Sequence, residues 1–274
     1  MQKSILITGS SSGIGLDAAR RLKTRGWRVI ATARKPDDLK RLVDEEGVEA
    51  LSLELADAQS IAACASQALS MTDGKLGALF SNAAYGQPGA VEDLTADVLR
   101  HQLEVNLIGT HDLTRRLIPA MRNNGAGRIV QCSSVLGFVA APYRGAYCAS
   151  KFALEALTTS LRLELADSGI KVSLIEPGPI RSRFVENALA SFKANIDIEN
   201  SAHKAKYLAR LASMEKGGKD TFKLEPEAVS KRLIHALESA RPQRKYYVTT
   251  PTYLAAAMHR LLPASVTEIF TKNF

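Results

Sequence analysis

The chain has 274 residues, 46% hydrophobic and 23% charged, with a mean hydropathy of −0.07, the composition of an ordinary globular protein large enough for one sizeable α/β core. No apolar run approaches the ~18 residues that cross a bilayer, the opening MQKSILITGS is no secretory signal, and Cys64, Cys132 and Cys148 have neither metal nor disulfide spacing, so a cytoplasmic, reduced, metal-free protein is expected. A net charge of +8 suits an anionic ligand or surface, but the basic residues are spread without a nucleic-acid motif and no nucleic acid partner is expected.

SILITG (4–9) reads as a short apolar strand and GIGLDAARRLKTRG (13–26) as a helix closed by Gly26. WRVIATAR (27–34) is β-rich, PDDLKRLVDEEG (36–47) a polar helix, and VEALSLEL (48–55) a strand. A helix over 57–74 starts at Asp57, a plausible N-cap. The strand LGALFSNAA (76–84), a long helical stretch over 95–122 and the strand GRIVQCSS (127–134) follow. A helix over 147–167 leads to IKVSLIEPG (170–178). Near-continuously apolar strands alternating with helices predict a single α/β domain with a doubly wound parallel sheet, helices on both faces.

After 182 the rhythm breaks. Residues 183–224 form a Lys- and Ala-rich insertion containing EKGGKD, followed by a helix (226–239), the strand KYYVTT (245–250) and a tail over 251–274. In YLAAAMHRLL, the residues Leu254, Met258, Leu261 and Leu262 share a helical face that stops at Pro263. With Arg260, Lys272 and RPQRK, this tail either packs beside a pocket or subunit, the main expectation, or rests on an anionic membrane.

Between the first strand and helix lies TGSSSGIG, Thr8 to Gly15. A helix N-terminus offers free N–H groups and a positive dipole end to a pyrophosphate, and glycines let the chain turn sharply against the ligand. The spacing departs from G-x-G-x-x-G, and three glycines also suit a plain tight turn. The second strand ends in Ala33 and Arg34, where NAD-type sites place an acid for the ribose hydroxyls. A guanidinium there binds a 2′-phosphate, so NADP(H) is the expected cofactor. Asp37 and Asp38 read as acids of the helix's first turn.

In YCASKFALEAL (147–157), Tyr147 and Lys151 lie one turn apart on one face, among Phe152, Leu154 and Leu157. Such a pair also occurs as amphipathic cover for apolar surface. Taken with TGSSSGIG, however, the chain resembles the short-chain dehydrogenase/reductase family over residues 4 to about 182, and its wording is most similar to the 17β-hydroxysteroid and retinol dehydrogenase branch. Thr8, Gly9, Gly13 and Gly15 match the cofactor turn, where Ile14 would also contact the cofactor, SNAA (81–84, with Asn82 and Ala83) the family's NNAG, and PGPIRS the PGxxxT segment. The resemblance implies that Asn106, Ser134, Tyr147 and Lys151 are a catalytic tetrad. It also implies that Ser11 or Ser12 assists Arg34 at the phosphate, that Glu54 and Leu55 flank the adenine, and that Pro177, Gly178, Ile180 and Ser182 hold the nicotinamide. Ser81, Ala84, Glu54 and Ser182 depart from the usual residues.

The chemistry expected is hydride transfer between NADP(H) and a lipophilic alcohol or carbonyl compound, steroid- or retinoid-like. A 3-oxoacyl reductase and a non-catalytic NADP(H) sensor are the alternatives. Tyr147 would exchange the proton, its pKa lowered by Lys151, and Lys151 would also hold the nicotinamide ribose. Ser134, with Ser133 as rival, would stabilise the oxygen. Asn106 would interrupt its helix and place a water that links Lys151 to solvent. Residues 183–224 would form a mobile lid with Phe184, Val185, Leu189, Phe192, Tyr207, Leu208 and Leu211 toward the substrate. His101 and His111 read as surface residues. The helices over 95–122 and 147–167 would pair in a homodimer or homotetramer.

Overall fold

The computed structural model describes residues 2–215 and 222–271; EKGGKD beyond Glu215, and Lys272, lie outside them. Seven strands run parallel in one sheet of order β3-β2-β1-β4-β5-β6-β7. They are β1 (Ser4–Ile7), β2 (Arg28–Ala33), β3 (Glu49–Ser52), β4 (Ala78–Ser81), β5 (Gly127–Cys132), β6 (Ile170–Glu176) and β7 (Lys245–Tyr247). Strand alternation sends Ile5 and Ile7 to one face and Leu6 to the other. The first pair packs against Ala18 and Leu22 of α1 (Gly13–Thr24), Leu42 of α2 (Pro36–Asp44) and Leu233. Leu6 packs with Ile61 of α3 (Ala58–Met71), Leu113 and Leu117. This is a doubly wound, Rossmann-type sheet covered on both faces, and its order reverses between β1 and β4, where such sheets open a crevice at the strands' C-terminal ends.

Local signals explain most boundaries. Gly26 takes a φ of +77° just past α1, as helix ends require. Asp57 caps α3 by accepting a bond from the Gln59 N–H at 2.8 Å. The long stretch after β4 comprises α4 (Ala96–Leu103), a π-helical turn (Glu104–Ile108) and α5 (Gly109–Asn123). At Gly109 an added Cβ would stand 2.0 Å from the Leu55 carbonyl oxygen, so the widened helix can press on the chain beyond β3. Next comes α6 (Gly145–Glu164). There Leu154 is buried, but Phe152 and Leu157 are 42% and 44% exposed. The apolar stripe expected beside Tyr147 is thus split between two faces, because helical periodicity does not say which face the sheet covers.

The 183–224 insertion forms α7 (Phe184–Asn195) and α8 (Lys204–Glu215), and α9 (Glu227–Glu238) returns to the sheet. Phe192, Ile196 and Tyr207 join Ala90 in a small separate core. The tail is two helices, α10 (Thr250–Leu261) and α11 (Ala264–Thr271), broken at Pro263. Only the first was expected. Leu254 and Leu261 are 59% and 80% exposed, whereas Ala255 and Ala256 are buried, so the leucine face of α10 points outward. No described helix is long and apolar enough to cross a membrane.

Candidate active site

A cleft of about 690 Å³ runs along the strand ends, from Ser11, Ser12 and Arg34 past Asn82 and Lys151 to Phe184, Phe192 and Tyr207. At its first end the turn after β1 is shaped by two left-handed glycines, Gly9 at φ +69° and Gly13 at +55°. An added Cβ would lie 2.8 Å from the Ala83 Cα at the first and 2.9 Å from the Ser182 Cβ at the second. At Gly15 the space is tighter still, since an added Cβ would lie 2.2 Å from the Gly9 carbonyl oxygen. The turn is locked to the end of β4. Thr8 Oγ1 accepts from the Asn82 and Ala83 N–H groups, both at 2.9 Å, while Asn82 Nδ2 donates to the Thr8 and Gly9 carbonyls.

The N-cap of α1, Ser12, makes no capping bond with its side chain, so it leaves the first-turn N–H groups uncapped, and Gly13 and Ile14 of that turn line the cleft. Arg34 is 71% exposed and 3.6 Å from the Glu54 carboxylate, a surface pair of little strength. Two further arginines reach the turn, neither singled out by the sequence. Arg41 donates to the Ser11 carbonyl at 2.5 Å and to Asp38 at 3.2 Å, and Arg183 donates to the same carbonyl at 3.4 Å. Helical spacing from the strand end was the available signal for Arg41. Ile14, Leu55, Ala83, Pro177, Gly178, Ile180 and Ser182 also line the cleft.

At mid-cleft α6 presents Tyr147 and Lys151, and the end of β5 presents Ser134. Lys151 Nζ donates to the Cys132 carbonyl at 2.8 Å and stands 5.7 Å from the centre of the Tyr147 ring. Burial, not the ammonium, sets the phenol. The Tyr147 pKa is pushed well above its ordinary value by burial, only partly offset by a hydrogen bond from Ser134 and by the charge of Arg144. The expected lowering by Lys151 is therefore corrected: Lys151 is itself buried, which lowers its own pKa, and it points to a carbonyl. Ser134 Oγ accepts from the Leu136 N–H at 3.1 Å, leaving its own proton to donate. Burial pushes the Cys132 thiol up to about 11 and raises that of Cys148 as well, so neither is a thiolate nucleophile at neutral pH.

Asn106 lies behind the cleft, 1% exposed, inside the π-helical turn. Its amide accepts from the Tyr85 N–H at 3.1 Å and donates to the Tyr85 carbonyl at 2.9 Å and to Ser150 Oγ at 3.2 Å. Ser150 in turn donates to the Tyr147 carbonyl at 2.7 Å, so the widened turn ties the β4 loop to the helix carrying Tyr147. Both His101 and His111 are exposed.

Below this layer Lys245 Nζ bonds Glu155 at 2.6 Å and Glu176 at 2.8 Å. Glu176 is fully buried, and burial together with the adjacent Glu155 carboxylate pushes it up to about 8. The other oxygens of the two carboxyls, Glu155 Oε1 and Glu176 Oε2, have no donor. A proton held between them satisfies both and leaves one negative charge for the one ammonium. Sequence could not join residues so far apart.

On the far side α7 places the Phe184 ring 5.4 Å from that of Tyr147. Val185, Leu189 and Leu211 also line the cleft, whereas Leu208 is 49% exposed and does not. The helices are tied down. Tyr207 accepts from the Ala90 N–H at 2.7 Å and donates to Asp93, and Asn195 donates to Gln87 at 2.8 Å.

Residues 3–191 match the short chain dehydrogenase family. The chain belongs to that family of oxidoreductases. It is 42% identical over 268 residues to the oxidoreductase YbbO of Escherichia coli, covering 98% of this chain and 93% of YbbO. It is 33% identical to human 17-beta-hydroxysteroid dehydrogenase type 1, covering 94% of this chain and 80% of that one. A short-chain dehydrogenase/reductase from Burkholderia phymatum, solved in complex with NAD, superposes with a TM-score of 0.79 at 26% identity over 95% of this chain and 92% of its own.

Proposed function

We propose that this short-chain dehydrogenase moves a hydride between NADP(H) and a lipophilic alcohol or carbonyl compound. The observation that carries the reading is the convergence of Ser134, Tyr147 and Lys151 on the same cleft as a turn shaped for phosphate. The cofactor fits this chain's residues. The glycine turn leaves no room for a Cβ and meets an uncapped helix N-terminus. Ala33 brings no carboxylate to the ribose, and the weakly held Arg34 is available to a 2′-phosphate, with Ser11 and Ser12 beside it. Lys151 would hold the nicotinamide ribose, Glu54 and Leu55 would flank the adenine, and Pro177, Gly178, Ile180 and Ser182 would hold the nicotinamide.

When bound, the nicotinamide supplies or accepts the hydride. The residues do the rest. Ser134 donates a hydrogen bond to the carbonyl oxygen, where charge grows. Tyr147 donates its proton to that oxygen. A raised pKa keeps the phenol protonated at neutral pH, so the site stands ready as an acid for reduction. Lys151 holds its positive charge 5.7 Å from the centre of the Tyr147 ring, and Asn106 holds the β4 loop against α6. The apolar walls from Phe184 and Phe192 would exclude water, with α7 and α8 as a lid. A homodimer or homotetramer that buries the exposed Phe152, Leu157 and Ile108 completes the reading, and light scattering at micromolar concentration is expected to give at least twice the chain mass.

The test is a panel of aldehydes, ketones, steroids, retinoids and acyl thioesters, followed by NADPH and NADH absorbance. Turnover of apolar carbonyl compounds with NADPH is the expected result. Binding of NADPH without turnover of any member would instead make the protein a sensor.

A further inference from the structure

We infer that the substrate is an apolar aldehyde or ketone carrying an anionic terminus, which the guanidinium groups of Arg144 and Arg210 receive. This rests on the oxidoreductase reading above and narrows its substrate class.

Arg144 immediately precedes α6, one turn before Tyr147, and Arg210 lies on α8; both are half-buried and line the cleft. Several arginines meet carboxylates, as Arg20, Arg25 and Arg28 do with Glu46, Glu238 and Glu49, and others, such as Arg128 and Arg162, donate to backbone carbonyls. Arg144 and Arg210 meet no carboxylate among the described residues. Both line the same cleft, and the charge of Arg210 adds to burial in lowering the Arg144 pKa. Two like charges in one half-buried cleft cost stability unless something neutralises them. The one carboxylate among the lining residues, Glu54, is at the other end beside Arg34.

The pair is also held in place. Tyr143, which carries Arg144 behind it, takes a φ of +63°, a strained conformation for an aromatic residue that persists only where its surroundings impose it. Its carbonyl accepts from the Gly89 N–H at 3.1 Å, and its hydroxyl meets His203 Nδ1 at 3.1 Å. Arg210 lies 4.3 Å over the centre of the Tyr143 ring, a cation–π contact that leaves the edges of the guanidinium free to donate. Arg210 follows Tyr207 by three residues, so the bonds of Tyr207 to Ala90 and Asp93 fix the same turn of helix. Phe184, Phe192 and Leu211 supply apolar wall in the same half of the cleft. An occupant that fits therefore has a carbonyl at Tyr147, an apolar body and a negative end. A guanidinium fork takes a carboxylate or a phosphate, so the two are separate arms of the test.

The experiment compares kcat/KM for n-alkanals, ω-oxo carboxylates and the matching phosphate esters over a series of chain lengths, in the wild type, Arg210→Leu and Arg144→Gln. The wild type is expected to prefer one anionic series over the alkanals by roughly ten- to a hundred-fold, mostly through KM. Arg210→Leu should remove that preference and leave alkanal turnover unchanged. A second readout needs no turnover: calorimetry with saturated carboxylates and alkyl phosphates against alcohols of equal length, added to the NADP-loaded protein, should show anion binding that both variants lose. Equal kcat/KM for neutral and anionic substrates, or an Arg210→Leu loss shared by both, overturns the inference and leaves the oxidoreductase reading standing. Anion binding that both variants lose, without turnover of any compound, would keep the anion site at Arg144 and Arg210 and overturn the oxidoreductase reading.

Discussion

The two ends of the cleft are built by different means. At the end formed by β1 and α1, shape comes from backbone: Gly9 and Gly13 have left-handed φ values, and a side chain at either would collide with Ala83 or Ser182. At the far end, shape comes from side chains on segments distant in sequence, with Tyr143 and Arg144 from one, Phe184 and Phe192 from another, and Tyr207 and Arg210 from a third. Backbone constraints confine residue choice to a short string, whereas side-chain constraints allow many solutions. One end should therefore determine whether chemistry occurs at all, and the other which molecule receives it.

The sharpest way to break that contrast is at its centre. Tyr147→Phe should lower kcat by about 10² to 10⁴-fold for every substrate, the range expected when a general acid is lost, with circular dichroism and melting little changed. Lys151→Ala should act in the same direction, with a smaller loss of NADPH affinity measured by fluorescence titration. A Tyr147→Phe enzyme whose loss varied strongly among substrates would show that the two ends are not separable.

The next largest effect tests the backbone-built end. A charge-assisted contact between Arg34 and a 2′-phosphate contributes about 1.5–3 kcal/mol, or roughly ten- to a hundred-fold in affinity. The wild type should prefer NADPH by that factor in kcat/KM, and Ala33→Asp with Arg34→Leu should reverse the preference without altering relative rates among substrates. A double variant that still prefers NADPH would shift the determinant to Arg41 and Arg183, which already touch the turn.

At the side-chain-built end, Phe184→Ala should raise KM several-fold for bulky apolar substrates, through loss of buried apolar area, and change kcat by less than about two-fold. Small aldehydes should scarcely notice. An equal loss for all substrates would mean that Phe184, 5.4 Å from Tyr147, positions the phenol instead.

The same contrast explains what was legible in the sequence. The parallel sheet could be read because its strands are apolar along their length, and the Asp57 cap and Gly26 stop because each is a local device. The turn and the residues Ser134, Tyr147 and Lys151 could be assigned to one cleft through the resemblance to the short-chain dehydrogenase/reductase family, not from the Tyr147–Lys151 spacing alone. The protonation of Tyr147 could not, since burial is a property of the folded chain. Nor could the exposure of Phe152 and Leu157, the second tail helix beyond Pro263, or the placement of Arg144 and Arg210 on one cleft, which depends on where an insertion comes to rest.

The smallest expected effect lies beneath both ends, in the Glu155–Glu176–Lys245 cluster. Glu176 leads directly into Pro177 and Gly178, so its charge state bears on the floor of the cleft. Its carboxyl is pushed up to about 8 from an ordinary value of 4.5. The folded protein thus keeps a proton that the unfolded chain releases. By linkage, the stability from that proton is fully present below about 4.5 and is lost as pH rises through about 8. Lys245 stays charged across this window, its pKa raised by the two carboxyls it bonds despite burial. Wild-type Tm should therefore fall by roughly 5 °C between mildly acidic and mildly alkaline pH. Glu176→Gln has no proton to lose, so its melting profile should be flatter over the same range, whatever its absolute stability. Parallel profiles for the two proteins would mean that Glu176 is already ionised in the folded state. The unpaired oxygens of the two carboxyls would then need a donor other than a shared proton.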